Sequence, residues 1–208
     1  MKRRQMIAAF GAAAATLPVL ASARAASSAP TPKEKPGEAT AKAETAKQPA
    51  STPASSDQET WMKMTMAIGS MSLLASRAAV DDARNAAVKQ FAKWEVYEQE
   101  TLADVLTSMQ DSAPAPQGKL QPPSDAEARN HLDAKMKDQL SELKQKKDAA
   151  FDKAYIQAQL TGHKKLLTVQ VNFLKVGQNR ESLDVAKIAR AYIEQHIDQL
   201  QALQSKIG

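Results

Sequence analysis

Apolar side chains recur at three- and four-residue intervals through two long stretches of this chain, and prolines fence those stretches off. The ten prolines stand at 18, 30, 32, 36, 49, 53, 114, 116, 122 and 123, leaving residues 54–113 and 124–208 free of them. A proline inside a helix costs roughly 3 kcal/mol, so these two blocks are where helices can run. Both are rich in Ala, Leu, Lys, Gln and Glu, and neither alternates over a strand's length. The pattern predicts an all-α fold.

Within the first block, cap-forming residues cluster from Asp81 to Asn85 and divide it in two. The first helix is expected over 58–80, with Trp61, Thr65, Ile68, Ser72, Ala75 and Ala79 on one face. The second is expected over 84–110, with Val88, Ala92, Val96, Gln99, Ala103 and Leu106 on its own. After the Pro-rich connection, Ser124 with Glu127 three residues on has the form of a capping box. It opens a charged helix over 125–146 carrying Leu132, Met136, Leu140 and Leu143. Asp148 caps or bends the chain before the next helix, 149–176. That helix has two apolar stripes, one through Phe151, Tyr155, Leu166, Val169 and Phe173, the other through Ile156, Leu160, Leu167 and Leu174. So wide an apolar arc suits a central helix. Gly177 stops it, and the last helix, 181–206, presents Ala189, Ile193, His196, Leu200, Leu203 and Ile207. These spacings predict an antiparallel four-helix core over 58–208, with 125–146 packed beside it or extending the third helix.

The outer segments read differently. Lys2, Arg3 and Arg4 precede an apolar run from Met6 to Ala21, and overlapping Ala-x-Ala sites end at Ala23 and Ala25. This is the form of a bacterial export signal cleaved near Ala25. Pro18 and Ser22 interrupt the run short of the roughly 20 apolar residues of a membrane span. Arg3-Arg4 admits either the general or the twin-arginine route. Residues 26–57 hold five prolines and no apolar residue larger than alanine or proline, so they are expected to be a disordered tether spanning about 30 Å. The formal charge of +5 belongs mostly to the address: without Lys2, Arg3, Arg4 and Arg24 the basic count falls from 28 to 24 against 23 acids. A nearly neutral product gives no reason to expect nucleic acid as a partner. With no cysteine, disulfides, thiolate metal sites and thiol catalysis are excluded.

Four polar residues stand where these stripes want apolar ones: Ser72, Gln99, His163 and His196. Each long helix thus contributes one inward polar group, and converging inward groups are how bundles build metal and ligand sites. A di-iron carboxylate centre wants Glu-x-x-His pairs, but Leu160 and Ile193 precede the two histidines by three, and no glutamate falls on the four stripes. Two imidazoles with an amide oxygen and a hydroxyl could hold zinc or copper, with Gln99 and Ser72 as lesser partners of His163 and His196. The plainer reading is a hydrogen-bonded cluster that fixes helix register. His131 falls in the charged helix and is expected at the surface. Trp94 and Tyr97, near Phe91, are expected in the core or at its rim.

Phe151-Asp152-Lys153-Ala154-Tyr155-Ile156, then His163, the Gly177 break and His196-Ile197-Asp198-Gln199-Leu200, resemble a bacterial exported family of unknown function. Asn85-Ala86-Ala87-Val88-Lys89-Gln90-Phe91-Ala92 is similar to that family's second helix, and the likeness spans about residues 60–206. The resemblance implies a ferritin-like helical bundle, an envelope location under the label of putative outer-membrane protein, and a stress-related role. It also implies a metal constellation with a glutamate in the first helix and a histidine in the second. Ser72 and Gln99 occupy those places here, while His163 and His196 match. A membrane barrel is excluded by the lack of alternating strands.

The expected protein is therefore a periplasmic, non-enzymatic helical bundle with no cofactor, acting on a protein or envelope component. The alternative is a bundle that binds a transition metal or small ligand through His163 and His196.

Overall fold

In a computed structural model the protein is described over residues 56–110 and 118–207. The export signal expected over 1–25, and the tether up to residue 55, lie outside the described residues. Six helices follow in order: α1 (Ser56–Asp82), α2 (Ala86–Ser108), α3 (Asp125–Asn130), α4 (Ala134–Gln145), α5 (Asp148–Val176) and α6 (Arg180–Ile207). Among the described residues every regular element is a helix. α1 packs against α2 and α5, α5 against α6, and the two short helices lie on α1, with α4 also reaching α5.

The single charged helix expected over 125–146 is two helices. Ser124 does open the first with a complete capping box. That helix ends at His131, which is exposed as expected. Asp133 then starts a second helix, its side chain accepting from the Met136 amide at 2.7 Å. The break turns Leu132 inward, to join Leu140 and Leu143 in the core. Asp148 bends the chain between α4 and α5. Its φ of 52° is a left-handed conformation costing on the order of 1 kcal/mol, which aspartate tolerates better than most residues.

The turn between α1 and α2 is fastened from two directions. Asn85 caps α2, its Oδ1 accepting from the amides of Ala87 and Val88. From α5, the buried Asp152 carboxylate accepts from the amides of Arg84 at 3.0 Å and Asn85 at 2.8 Å. Its neighbours in sequence finish the joint. Phe151 and Tyr155 are fully buried, and the Tyr155 hydroxyl lies 2.8 Å from Ser76 Oγ on α1. Gly177 ends α5 with an ordinary φ; what requires glycine there is space, because a Cβ would meet the Phe173 ring at 2.7 Å.

Two apolar clusters divide the interior along the helices. One gathers Leu73, Leu74, Phe91, Phe151, Tyr155, Ile156 and Leu200; the other gathers Trp61, Leu106, Leu166, Val169, Phe173 and Ile193. Each large side chain buried in either contributes about 1.5–3 kcal/mol. Trp61 stacks on Phe173 with centroids 4.5 Å apart and donates its indole N–H to Gln170 Oε1 at 2.6 Å. Every long helix passes from one cluster to the other through a polar position, and those positions meet.

The Asp152 clamp gives a first prediction. Asp152→Ala leaves two amides without their acceptor and should lower unfolding free energy by about 3 kcal/mol in urea denaturation. Asp152→Asn, which keeps one acceptor oxygen, should cost less. Asp81→Ala, an exposed neighbour of the same turn, should change stability by no more than about 0.5 kcal/mol.

Candidate metal centre

The polar positions of α5 and α6 bring His163 and His196 together: His163 Nε2 lies 3.2 Å from His196 Nδ1, and the ring centroids are 5.2 Å apart. The two histidines expected to converge do so in the middle of the bundle. The third member is Glu95 of α2, whose side chain is wholly inaccessible. Its Oε2 lies 3.3 Å from His163 Nε2 and 2.9 Å from His196 Nδ1.

The glutamate corrects the expectation that no carboxylate falls on a stripe. On α2 two inward registers compete. The expected one runs through Val88, Ala92, Val96, Gln99, Ala103 and Leu106; the other runs through Phe91, Glu95, Gln99 and Leu106. Apolar content favours the first, and Val88, Ala92, Gln99 and Leu106 are buried, yet Phe91 and Glu95 are buried beside them while Val96 and Ala103 are half-buried. The same rotation swings Trp94 and Tyr97 out of the core, to 48% and 66% exposure. Glu95 can point inward because it meets polar groups on three other helices.

Ser72 and Gln99 touch Glu95 rather than the histidines. Gln99 Nε2 donates to Glu95 Oε1 at 3.0 Å, and the Ser72 hydroxyl lies 2.5 Å from the same oxygen. That hydroxyl is also 2.6 Å from Gln159 Oε1, so two acceptors share one proton. Gln159, from α5, donates in turn to the Ser72 carbonyl and to Ser76 Oγ. Gly69 on α1 makes room for this layer: a Cβ there would lie 2.6 Å from Gln99 Oε1. Glu95 Oε1 is thus held by neutral donors, and Oε2 is left facing the imidazoles.

Hydrogen bonds on the far side of each ring decide which nitrogen faces the centre. His163 Nδ1 lies 2.8 Å from the Gln159 carbonyl, which can only accept; the proton sits on Nδ1, and a neutral ring turns a bare Nε2 inward. His196 Nε2 lies 3.1 Å from Glu98 Oε2, so a neutral ring that donates there offers a bare Nδ1. Glu98 and Glu100, the acids flanking Gln99, have different fates: Glu98 meets His196, while Glu100 accepts from Arg77 at 2.8 Å.

Charge reinforces the geometry. Burial pushes the Glu95 carboxyl up, but the neighbouring imidazoles of His163 and His196 outweigh it and hold the group below the usual carboxylate range. Burial pulls His196 down, but Glu95 and Glu98 outweigh that and push it up to about 9. Without a metal, His196 is then an imidazolium whose Nδ1 proton occupies the centre.

The donor set fits a divalent transition ion. Three atoms bound to one ion at about 2.0–2.1 Å stand about 2.9–3.4 Å apart in tetrahedral or octahedral geometry, and the three separations here are 2.9, 3.2 and 3.3 Å. Glu95 Oε2 accepts no well-aligned hydrogen bond despite its close nitrogens. Oε2 and the two ring nitrogens lie within 3.3 Å of one another, close enough for one ion to meet all three. Two imidazoles and one carboxylate, each oriented by an outer hydrogen bond, suit zinc or first-row iron and copper chemistry.

The same groups set a pH dependence for the metal-free protein. His196 is raised above its ordinary 6.5, so its stabilisation is full below that value and is lost as pH rises through about 9. Glu95 is lowered, so its contribution is present above its ordinary 4.5 and is lost as pH falls below it. Thermal melts of metal-free protein should show greatest stability between these two values. Glu95→Gln should flatten the alkaline decline and lower stability near neutrality by about 3–5 kcal/mol, as expected when one partner of a buried pair is removed.

Comparison with known proteins follows the fold. None of the curated proteins matches this chain. A crystal structure of a DUF305 fragment from Deinococcus radiodurans is similar, with a TM-score of 0.60 over 74% of this chain and 99% of that one. At 12% identity the likeness shows the fold alone. A family profile described as Domain of unknown function (DUF4142) matches residues 42–203. That description supports the unknown-function part of the resemblance and neither its ferritin-like nor its outer-membrane label. Because the profile covers well over half of the 208 residues, the chain belongs to the DUF4142 family.

Proposed function

We propose that this protein is an exported helical bundle that binds one divalent transition-metal ion through Glu95, His163 and His196. The observation that carries the reading is the clustering of three buried ligand atoms within 3.3 Å of one another, with Glu95 Oε2 left without an aligned donor. The outer contacts support it: Gln159 and Glu98 orient the rings, and Ser72 and Gln99 hold the carboxylate. In this reading the four long helices form an antiparallel, ferritin-like core. The export signal over 1–25 delivers it to the periplasm, and the segment from residue 26 to the start of α1 at Ser56 tethers it. The role is binding rather than catalysis, with an envelope component as partner. Among the described residues no helix is long and apolar enough to cross a membrane.

A second reading is an envelope protein that acts through surface contacts and uses the polar layer only to fix helix register. Exposed Trp94, Tyr97, Ile188 and Tyr192 favour a contact surface on α2 and α6.

Elemental analysis and competition titration with Zn2+, Cu2+ and Fe2+ separate the two. The metal reading expects about one ion per chain, and weakening beyond the roughly 10–100-fold typical of outer partners when Glu95, His163 or His196 becomes Ala. Ser72→Ala and Gln99→Ala should fall within that range. Because the ion replaces a proton on His196, affinity should rise with pH towards about 9, and binding at neutral pH should release protons measurable by calorimetry in buffers of different ionisation heat. Protein that takes up none of the three ions and shows no thermal shift with them leaves the register reading in place.

A further inference from the structure

We infer that Glu98 Oε2 and His196 Nε2 form an outer cation site through which an ion is loaded into the buried centre; this rests on the metal reading above. The two atoms are 3.1 Å apart, the same spacing as the ligand pairs of the inner site. Glu98 is 37% exposed, whereas the side chains of Glu95, His163 and His196 are 0%, 2% and 6% exposed. Among the described residues Glu98 makes no other hydrogen bond or ion pair. It is a half-open carboxylate whose one polar contact is the far nitrogen of a buried ligand.

Among the described residues, the other approach to the centre is a cavity on the α1–α4–α5 side, which carries Lys146 and Lys165 and meets the centre only at the buried Ser72 and Gln159. His163 spends its second nitrogen on a carbonyl of its own helix. Ser72, Gln99 and Gln159 are buried and bonded to one another or to Glu95. Glu100, two residues along α2, is occupied by Arg77.

The imidazole of His196 makes the two sites alternatives. A neutral ring carries one proton and offers one lone pair. With the ion on Nε2 and Glu98, the proton is on Nδ1, 2.9 Å from Glu95 Oε2. With the ion on Nδ1 and Glu95, the proton is on Nε2 and donates to Glu98. Passage inward loses a proton from Nδ1 and gains one from water at Nε2, so it consumes no net proton. Both carboxylates keep a positive partner or donor in either state, which is what a transfer step of low cost requires.

Stopped-flow addition of Co2+ to the metal-free protein, followed by its visible absorption, tests the inference, and transfer of bound Co2+ to excess chelator gives the reverse rate. Glu98→Gln removes the charge and the chelating pair but keeps an oxygen to accept from His196 Nε2. It should slow both loading and release about tenfold or more, in line with loss of a steering charge. Glu98→Asp should recover part of the rate, and Glu100→Gln should load like wild type. Thermal melts establish that each variant is folded, which the partial exposure of Glu98 favours. Unchanged loading in folded Glu98→Gln overturns the port, as does faster release at an unchanged loading rate, which would make Glu98 a positioning residue only. Wild-type protein that gains no Co2+ band overturns the metal reading itself, and the port with it.

Discussion

A carboxylate with no solvent exposure, placed between two imidazoles, is the constraint to which the rest of this bundle answers. An ion that deep is tolerable only when paired and hydrogen-bonded on every side. Glu95 therefore needs Ser72 from α1, Gln99 from its own helix, His163 from α5 and His196 from α6 at fixed positions. Sliding any one of these helices by a residue would strand a buried charge, which would cost more than any single apolar contact returns. The layer thus sets the vertical register of all four long helices. The two apolar clusters on either side supply the bulk of the stability.

The sequence disclosed this layer unevenly. The four long helices, the α1–α2 break, the Ser124 capping box and the Gly177 stop were legible, because each rests on local chemistry that acts within a few residues. The inward direction of His163 and His196 was legible too, since apolar neighbours at three and four residues on both sides leave little choice of face. Glu95 was not. Its helix supports two registers one residue apart, and hydrophobicity alone prefers Val96 inside. What reverses the preference is the set of partners on other helices, information that no single helix contains. A usable signal was present: Phe91, Glu95 and Gln99 at four-residue spacing place an acid directly before the unexplained inward glutamine. The division of residues 125–146 was hidden for a related reason. Asp133 reads as one more surface charge until Leu132 is seen to need a place in the core.

The Phe151–Tyr155 stretch changes meaning in the fold. As a sequence motif beside a histidine it invites a functional reading. In the structure Asp152 fastens the α1–α2 turn and Tyr155 bonds Ser76, so the motif sets the distance between α1 and α5 about two to three turns along α5 from His163. Its chemistry is that of a joint. The link to the centre runs through Ser76, which receives Gln159, which in turn meets Ser72. A hydrogen-bonded chain therefore connects Tyr155, one turn along α5 from the Asp152 clamp, to the Glu95 carboxylate.

Whether the layer exists for register or for a ligand can be argued from how well it satisfies itself. Buried ion pairs are poor stabilisers, and replacing them with well-packed apolar residues is often neutral or favourable. A cluster kept only to fix register would be expected to close its hydrogen bonds. Glu95 Oε1 does, with aligned donors from Gln99 and Ser72. Glu95 Oε2 does not, although two ring nitrogens lie within 3.3 Å of it. Three ligand-capable atoms thus crowd within 3.3 Å of one another with one carboxylate oxygen unsatisfied, an arrangement that favours a positive charge among them. The positive charge of the His196 imidazolium fills part of that role at neutral pH, with one ring nitrogen beside Glu95 and the other beside Glu98. A divalent ion would fill it more completely, because it can meet all three atoms where a proton can meet two. That difference in coordination is why the geometry favours a bound cation over a purely structural cluster.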